Sequence, residues 1–277
     1  MRILLLFLTL IALPLQSQSR KKIDKMEAAI FAEGYALYLT EKAAWNGTDI
    51  FLANYADRDN IGGYATYVAD ERAVCIFVDR AEVPQVIGTI SFALDFNGED
   101  VQLDLEPRPL TKDEFALYRL RQAAVVEMES NPIFKPYPNA RFNIIPFLYE
   151  GNRKVYVLTG PQESGIVLIG NDYLITFDKK LRVKEAKALH ASTLEFPYHG
   201  EEDTEIKATI HSHTKTSGPY ITATDVCTLL LYAPYLSWGQ HQVVSEDFVS
   251  ILDMSKPNLL IMTQQAMDRI RAHQGGK

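Results

Sequence analysis

Between Ile206 and Tyr232 the chain changes its hydrophobic period, and this constrains the fold more than any other stretch. Ile206, Ala208 and Ile210 alternate with Lys207, Thr209, His211 and His213, the period-two pattern of a β-strand. Ser217-Gly218-Pro219 then breaks the strand, and the apolar run Val226 to Tyr232 is long enough for a helix opening at Thr222. A strand must therefore end, turn and enter a helix. Two imidazoles share one face of that strand, and Asp225 lies in the helix's first turn.

Two neutral ring nitrogens and one carboxylate oxygen, with a fourth position open, form the ligand set of a hydrolytic zinc site. His211, His213 and Asp225 supply those donors. A plainer reading fits the same residues. Thr222-x-x-Asp225 is a capping-box pattern, and histidines at a strand end are often ordinary polar residues.

The stretch resembles the JAMM/MPN-type metalloproteases, whose signature is His-x-His-Pro, a short loop, then Ser-x-x-Asp. The resemblance implies that His211, His213 and Asp225 are metal ligands and that Thr222, in place of the serine, helps hold the tetrahedral intermediate. It also implies a mixed sheet flanked by helices, bound zinc, and a peptide or protein substrate cleaved at an amide or isopeptide bond. Thr214 stands where the family has proline, and the loop from His213 to Thr222 is one residue longer. The family's general base is a glutamate on or before an early strand. The comparable strand here, Arg153 to Gly160, has none, and Glu150 and Glu163 flank it; Glu150 is the residue assigned that role. The alternative is a non-catalytic protein on the same scaffold, lacking the base. A serine hydrolase is disfavoured because no Gly-x-Ser-x-Gly elbow occurs.

Arg2, the apolar run Ile3 to Leu13, Pro14 and the small residues Ser17 and Ser19 have the order of a secretory signal peptide over residues 1–19, which predicts export. The run falls short of the ~20 residues a bilayer span needs, so no stable membrane span is expected. The basic cluster Arg20-Lys21-Lys22 keeps an uncleaved anchor open as the other reading. A net charge of −7 argues against nucleic acid as a partner. Cys75 and Cys227 fit either one disulfide or two buried free thiols.

The predicted class is α+β. In residues 20–130, an N-terminal α+β domain, a helix is expected over Lys25 to Thr40 with Gly34 as a weak point, then a turn at Asn46-Gly47-Thr48. Strands follow at Gly63 to Val68, Val74 to Val78 and Val86 to Leu94, and a helix capped by Thr111 and Glu114 runs to about Glu129. The carboxylates of this region read as a solvated surface. Three prolines mark residues 131–139 as a linker. In residues 140–277 strands are expected at 142–149, 154–158, 165–169 and 173–177, with Gly160, Gly165 and Gly170 in hairpin turns. His190 reads as a structural histidine near a strand end, or else as a support for the motif. Beyond the motif helix come an aromatic-rich turn around Trp238, strands at 242–244, 248–252 and 259–262, and a last helix from Thr263. That turn either packs on the core or lines a peptide cleft.

Overall fold

A computed structural model describes residues 7–149, 151–200 and 205–275. Met1 to Leu6, Glu150 and the acidic loop at 201–204 lie outside the described residues. The first helix, α1 (Phe7–Asn54), is 48 residues long and passes well beyond the expected Lys25 to Thr40. It also passes through Asn46-Gly47-Thr48, so the turn expected there is a correction. The reason is contact: a Cβ on Gly47 would lie 2.8 Å from the Cys75 Cβ. Glycine in a helix costs about 1 kcal/mol in propensity. Here it lets α1 press against the sheet and bury Ala43 and Phe51 beside it, where a phenylalanine ring contributes roughly 2–3 kcal/mol.

The chain continues through β1 (Ile61–Ala69), β2 (Arg72–Asp79), β3 (Gln85–Ala93), β4 (Val101–Asp104) and β5 (Arg108–Pro109) to α2 (Lys112–Ser130). β1 to β4 form an antiparallel meander, with β5 also paired to β3. Thr111 caps α2 in the expected capping box with Glu114. Two carboxylates of this region depart from the solvated surface read in the sequence, because Glu41 and Glu114 are buried. Glu114 takes both guanidinium nitrogens of Arg108 at 2.7 and 2.8 Å, and Glu41 accepts from the Trp45 indole at 2.9 Å. Burial of each is thus met by a donor.

Next come β6 (Ala140–Tyr149), β7 (Asn152–Pro161), β8 (Ile166–Gly170), β9 (Tyr173–Phe177), β10 (Val183–Ala188) and β11 (Thr193–Pro197). Before β6, Phe134 of the proline-rich segment is buried with Leu120, Ala124 and Val155. One sheet has the order β10-β9-β7-β6, while β8 pairs only with β11. The hairpin expected across Gly170-Asn171-Asp172 therefore does not form. Gly170 at φ +104° and Asn171 at φ +54° turn the chain out of the ladder, and a Cβ on Gly170 would meet Ser192 O at 2.1 Å. Only glycine fits so close a backbone approach.

The last part holds β12 (Ala208–Ser212), α3 (Ala223–Tyr232), β13 (Gln240–Val244), β14 (Phe248–Asp253), β15 (Asn258–Thr263) and α4 (Gln264–Gly275). The sheet order is β12-β13-β14-β15, with β12 parallel to β13 through the α3 crossover and the other pairs antiparallel. This is the mixed sheet expected, and the whole is α+β. Gly34, the expected weak point, is where α1 crosses α3: a Cβ there would sit 2.6 Å from the Val226 Cβ. Ile23 and Leu37 of α1 share a core with Val226, Leu229, Leu252 and Ile261. One helix thus serves two cores, this one and the core holding Phe51 and Phe77. Cys75 and Cys227 are buried free thiols. Among the described residues no helix is long and apolar enough to cross a membrane.

Candidate metal centre

Alternation on β12 turns His211, and His213 just beyond the strand, inward, where both are buried, and leaves Ile210 55% exposed on the opposite side. The polar face is the inner one. What it meets there is a carboxylate and more imidazole, not hydrocarbon alone.

Asp225 arrives from the first turn of α3 and performs both tasks that the sequence set against each other. Its Oδ2 accepts from the Thr222 amide and hydroxyl, each at 2.8 Å, while Thr222 Oγ1 accepts from the Asp225 amide at 3.0 Å. That is the capping box. A carboxylate has two oxygens and about four acceptor sites, so Oδ1 remains free to face the histidines. Thr222 sits at the helix start with its hydroxyl engaged in the cap and 2.9 Å from Thr224 Oγ1.

His190, from the loop between β10 and β11, completes the group. Its Nε2 lies 3.0 Å from Asp225 Oδ1, and its Nδ1 lies 3.7 Å from Asp172 Oδ2. The short contact lacks hydrogen-bond alignment, and both of its atoms stay unpartnered. His190, His211, His213 and Asp225 each bring a ligand atom, all within 4.8 Å of one another. The structural role read for His190 thus becomes membership of the cluster. Glu163, by contrast, lies beyond the far end of β8, hydrogen-bonded to Asn139 at 3.2 Å. The cluster is near Ile169 at the other end, and Ile166 to Ile169 alone spans roughly 10 Å at ~3.3 Å per residue.

The rings are held by partners on their outer nitrogens. His213 Nδ1 donates to Tyr220 O at 2.8 Å, which leaves a lone pair on Nε2. His211 Nδ1 is 2.7 Å from His241 Nε2, and His241 Nδ1 is 2.7 Å from Thr209 Oγ1. One proton arrangement satisfies this row with neutral rings: His211 donates to His241, and His241 donates to Thr209. His211 Nε2 then also carries a lone pair. Metal-binding histidines are ordinarily oriented in this way through their second nitrogen.

Electrostatics agrees with the donor set. Burial pushes His211 down to about 4, helped by the neighbouring His213 and His190 against the pull of Asp225, and His213 is lowered for the same reason. Burial carries His241 to about 3. The inward-facing rings of His211 and His213 are therefore neutral at pH 7, as ligands must be. Burial would raise Asp225, but His190 and the other imidazoles hold it well below the usual carboxylate range. His190 goes the other way. Burial opposes its charge, yet Asp225 and Asp172 prevail and lift it to about 9. Asp172, buried beside Thr159 N, is itself raised to about 7.

A small cavity of 30 Å³ is lined by His190, His211 and His213 together with Ile169, Ser192 and Ser217, enough for a water-sized occupant. A groove of 390 Å³ adjoins His213 along Thr214, Gly218, Ser245 and Asp247. Four buried atoms of this cluster lack hydrogen-bond partners and lie on the side where the four residues converge: the Nε2 atoms of His190, His211 and His213, and Asp225 Oδ1. Such a group can bind a metal ion.

The sequence reading passed over His241 and Asp172. The signal for His241 was its place two residues before Val243 on the strand that parallel pairing sets beside the motif, with Thr209 opposite His241 and His211 opposite Val243. No family model, curated protein or solved structure matches the chain.

Proposed function

We propose that this chain is an exported zinc-dependent hydrolase of amide or isopeptide bonds in peptide or protein substrates, similar in its site to the JAMM/MPN-type metalloproteases. The convergence of the unpartnered, buried donor atoms carries this reading. Each such atom costs about 1–3 kcal/mol if left unmet, and a divalent cation satisfies imidazole lone pairs and a carboxylate together. His211 Nε2, His213 Nε2 and Asp225 Oδ1 would hold it. Zinc, when bound, supplies Lewis acidity toward a carbonyl and lowers the pKa of water. Export rests on the charged, apolar and small-residue order of residues 2–19.

The chain's own groups divide the remaining work. Thr222 holds Asp225 in place through the cap; because its one hydroxyl proton goes to Asp225 Oδ2, serving the tetrahedral intermediate would require that hydrogen bond to be given up. The groove beside His213 offers an extended substrate a bed next to the cavity. His190 faces that cavity with Asp172 behind it, a placement suited to proton transfer. Donation to the departing amine is the half-reaction this scheme gives it. Glu150, the general base read from the sequence, lies outside the described residues. The pair Tyr149 and Asn152 flanking it closes the β6–β7 hairpin, whereas Asp172 and the cluster adjoin Thr159 further along β7, so the scheme would need a base brought to the site.

A second reading has its own support. Four donors within 4.8 Å describe a closed site, and closed sites hold a cation without turnover. Replacing His190 by alanine separates the two. In the hydrolase the variant retains zinc on three ligands and loses turnover of a fluorogenic peptide library by about 10²–10⁴-fold. If zinc leaves together with the His190 ring, the closed site stands and the hydrolase falls.

A further inference from the structure

A second cavity, of 540 Å³, opens at the other end of the β8–β11 ribbon from the metal centre. The ribbon's register pairs Thr193 with Gly170 beside the cluster and Pro197 with Ile166 beside this cavity, so the two sites do not share walls. One wall is aromatic. Trp45 meets Tyr232 edge to face at 5.4 Å, and Tyr198 stacks on Tyr235 at 6.0 Å with the planes 20° apart. The indole cannot swing freely, because its Nε1 donates to the buried Glu41 at 2.9 Å. The aromatic turn noted in the sequence therefore contributes to a built surface.

The rest of the lining, from the ends of β6 and β7 and the turn after them, is polar and electrically balanced. Arg141 offers only donors, Glu163 only acceptors, and the Asn143 amide offers both. Glu163 is steadied by Asn139 at 3.2 Å. A Cβ on Gly160 would come within 3.2 Å of the Asn143 amide nitrogen, so the bare glycine keeps the floor open at that amide.

We propose that this cavity binds the pyranose ring of a neutral saccharide. A sugar ring has one flat C–H face suited to aromatic rings and a rim of hydroxyls that both donate and accept. The two walls match those two surfaces. An anion would meet Glu163 and a cation would meet Arg141, whereas an aromatic side chain of a peptide would leave the polar wall unspent. The volume lies within the ~300–1,000 Å³ range of small-molecule sites. Bound there, a glycan would hold the protein at a saccharide-bearing surface while leaving the metal centre accessible.

The test uses the full chain on an array of neutral glycans, followed by fluorescence titration with methyl pyranosides and neutral disaccharides. Of the two tryptophans, Trp238 is buried with its indole on Pro197 O, so Trp45 is the reporter and Trp45→Phe should abolish the signal. Saturable binding is expected, weakened about tenfold by Tyr235→Ala and also reduced by Arg141→Ala, with zinc content unchanged in both variants. Tyr235 is 48% exposed, so its loss spares the fold, which circular dichroism verifies. The proposal is overturned if no neutral glycan is retained, if binding is indifferent to Tyr235→Ala, or if phenylalanine amide binds the cavity and the sugars do not.

Discussion

His211 Nδ1 lies 2.7 Å from His241 Nε2, with His241 fully buried and tied in turn to Thr209. A ring on one strand sets the tautomer of a ring on the next, and so decides which nitrogen of His211 faces the cavity. His241→Phe keeps the volume and removes the acceptor. Zinc affinity should fall about 10–100-fold, measured by competition with a chromophoric chelator, with His241→Gln recovering part of the loss through its side-chain carbonyl. Unchanged affinity in the phenylalanine variant would mean that His211 needs no such partner.

Thr222 anchors Asp225 through two hydrogen bonds of 2.8 Å. Thr222→Ala should cost about 1 kcal/mol of stability as a lost cap and weaken zinc binding as well, whereas Thr222→Ser should preserve both. Urea melts and chelator competition on the same preparations check this. An alanine variant with unaltered zinc affinity would detach the cap from the metal centre.

Gly34 admits no side chain against Val226. Gly34→Ala should destabilise the protein by roughly 1–3 kcal/mol through overpacking, despite alanine's better helix propensity. Val226→Ala removes the Cγ1 that would lie 2.7 Å from the new methyl but keeps the Cβ, so the double variant should cost somewhat less than the sum of the two losses, a coupling visible in a double-mutant cycle. Strict additivity would count against the tight crossing.

Two buried glutamates give opposite pH dependences. Glu114 would be raised by its burial, but Arg108, the Thr111 amide and Tyr67 hold it down to about 2. A depressed carboxylate stabilises the fold above its unfolded pKa near 4.5, and that contribution disappears as pH falls toward 2. Arg108 is 33% exposed, which screens the pair, so Glu114→Gln should cost about 2 kcal/mol at pH 7. The gap should narrow steadily below pH 4.5.

Glu41 behaves in reverse. Burial lifts it to about 7 against the donor Trp45 and the charge of Arg121. The folded chain therefore keeps a proton that the unfolded chain releases near pH 4.5, and stability is lost as pH rises through 7. Glu41→Gln should match the parent at pH 4 and exceed it by about 1–3 kcal/mol at pH 8. Parallel stability curves across that interval would refute the assignment.

Much of the centre could be read from the residues alone, because its parts obey local rules. Period-two alternation placed His211 and His213 together, and Thr222-x-x-Asp225 announced the helix start. What could not be read came from outside those rules. The capping and ligating readings of Asp225 looked exclusive only because the two oxygens were treated as one group. His190 sits in a loop after Val183 to Ala188, a strand whose exposed, mixed residues carry no alternation. His241 was missed because its strand begins at Gln240, two residues before the expected start at Gln242. The turn expected at Gly47 failed for a related reason: a glycine's local preference yielded to a contact with Cys75, distant in sequence.

Metal stoichiometry tests the central claim most directly. Protein purified without a histidine tag, loaded with zinc and freed of excess by gel filtration, is assayed by inductively coupled plasma mass spectrometry beside His211→Ala and Asp225→Ala. One zinc per chain is predicted for the parent and substantially less for either variant, with both variants folded by circular dichroism. A parent that retains no zinc, or variants that retain as much as the parent, would contradict it.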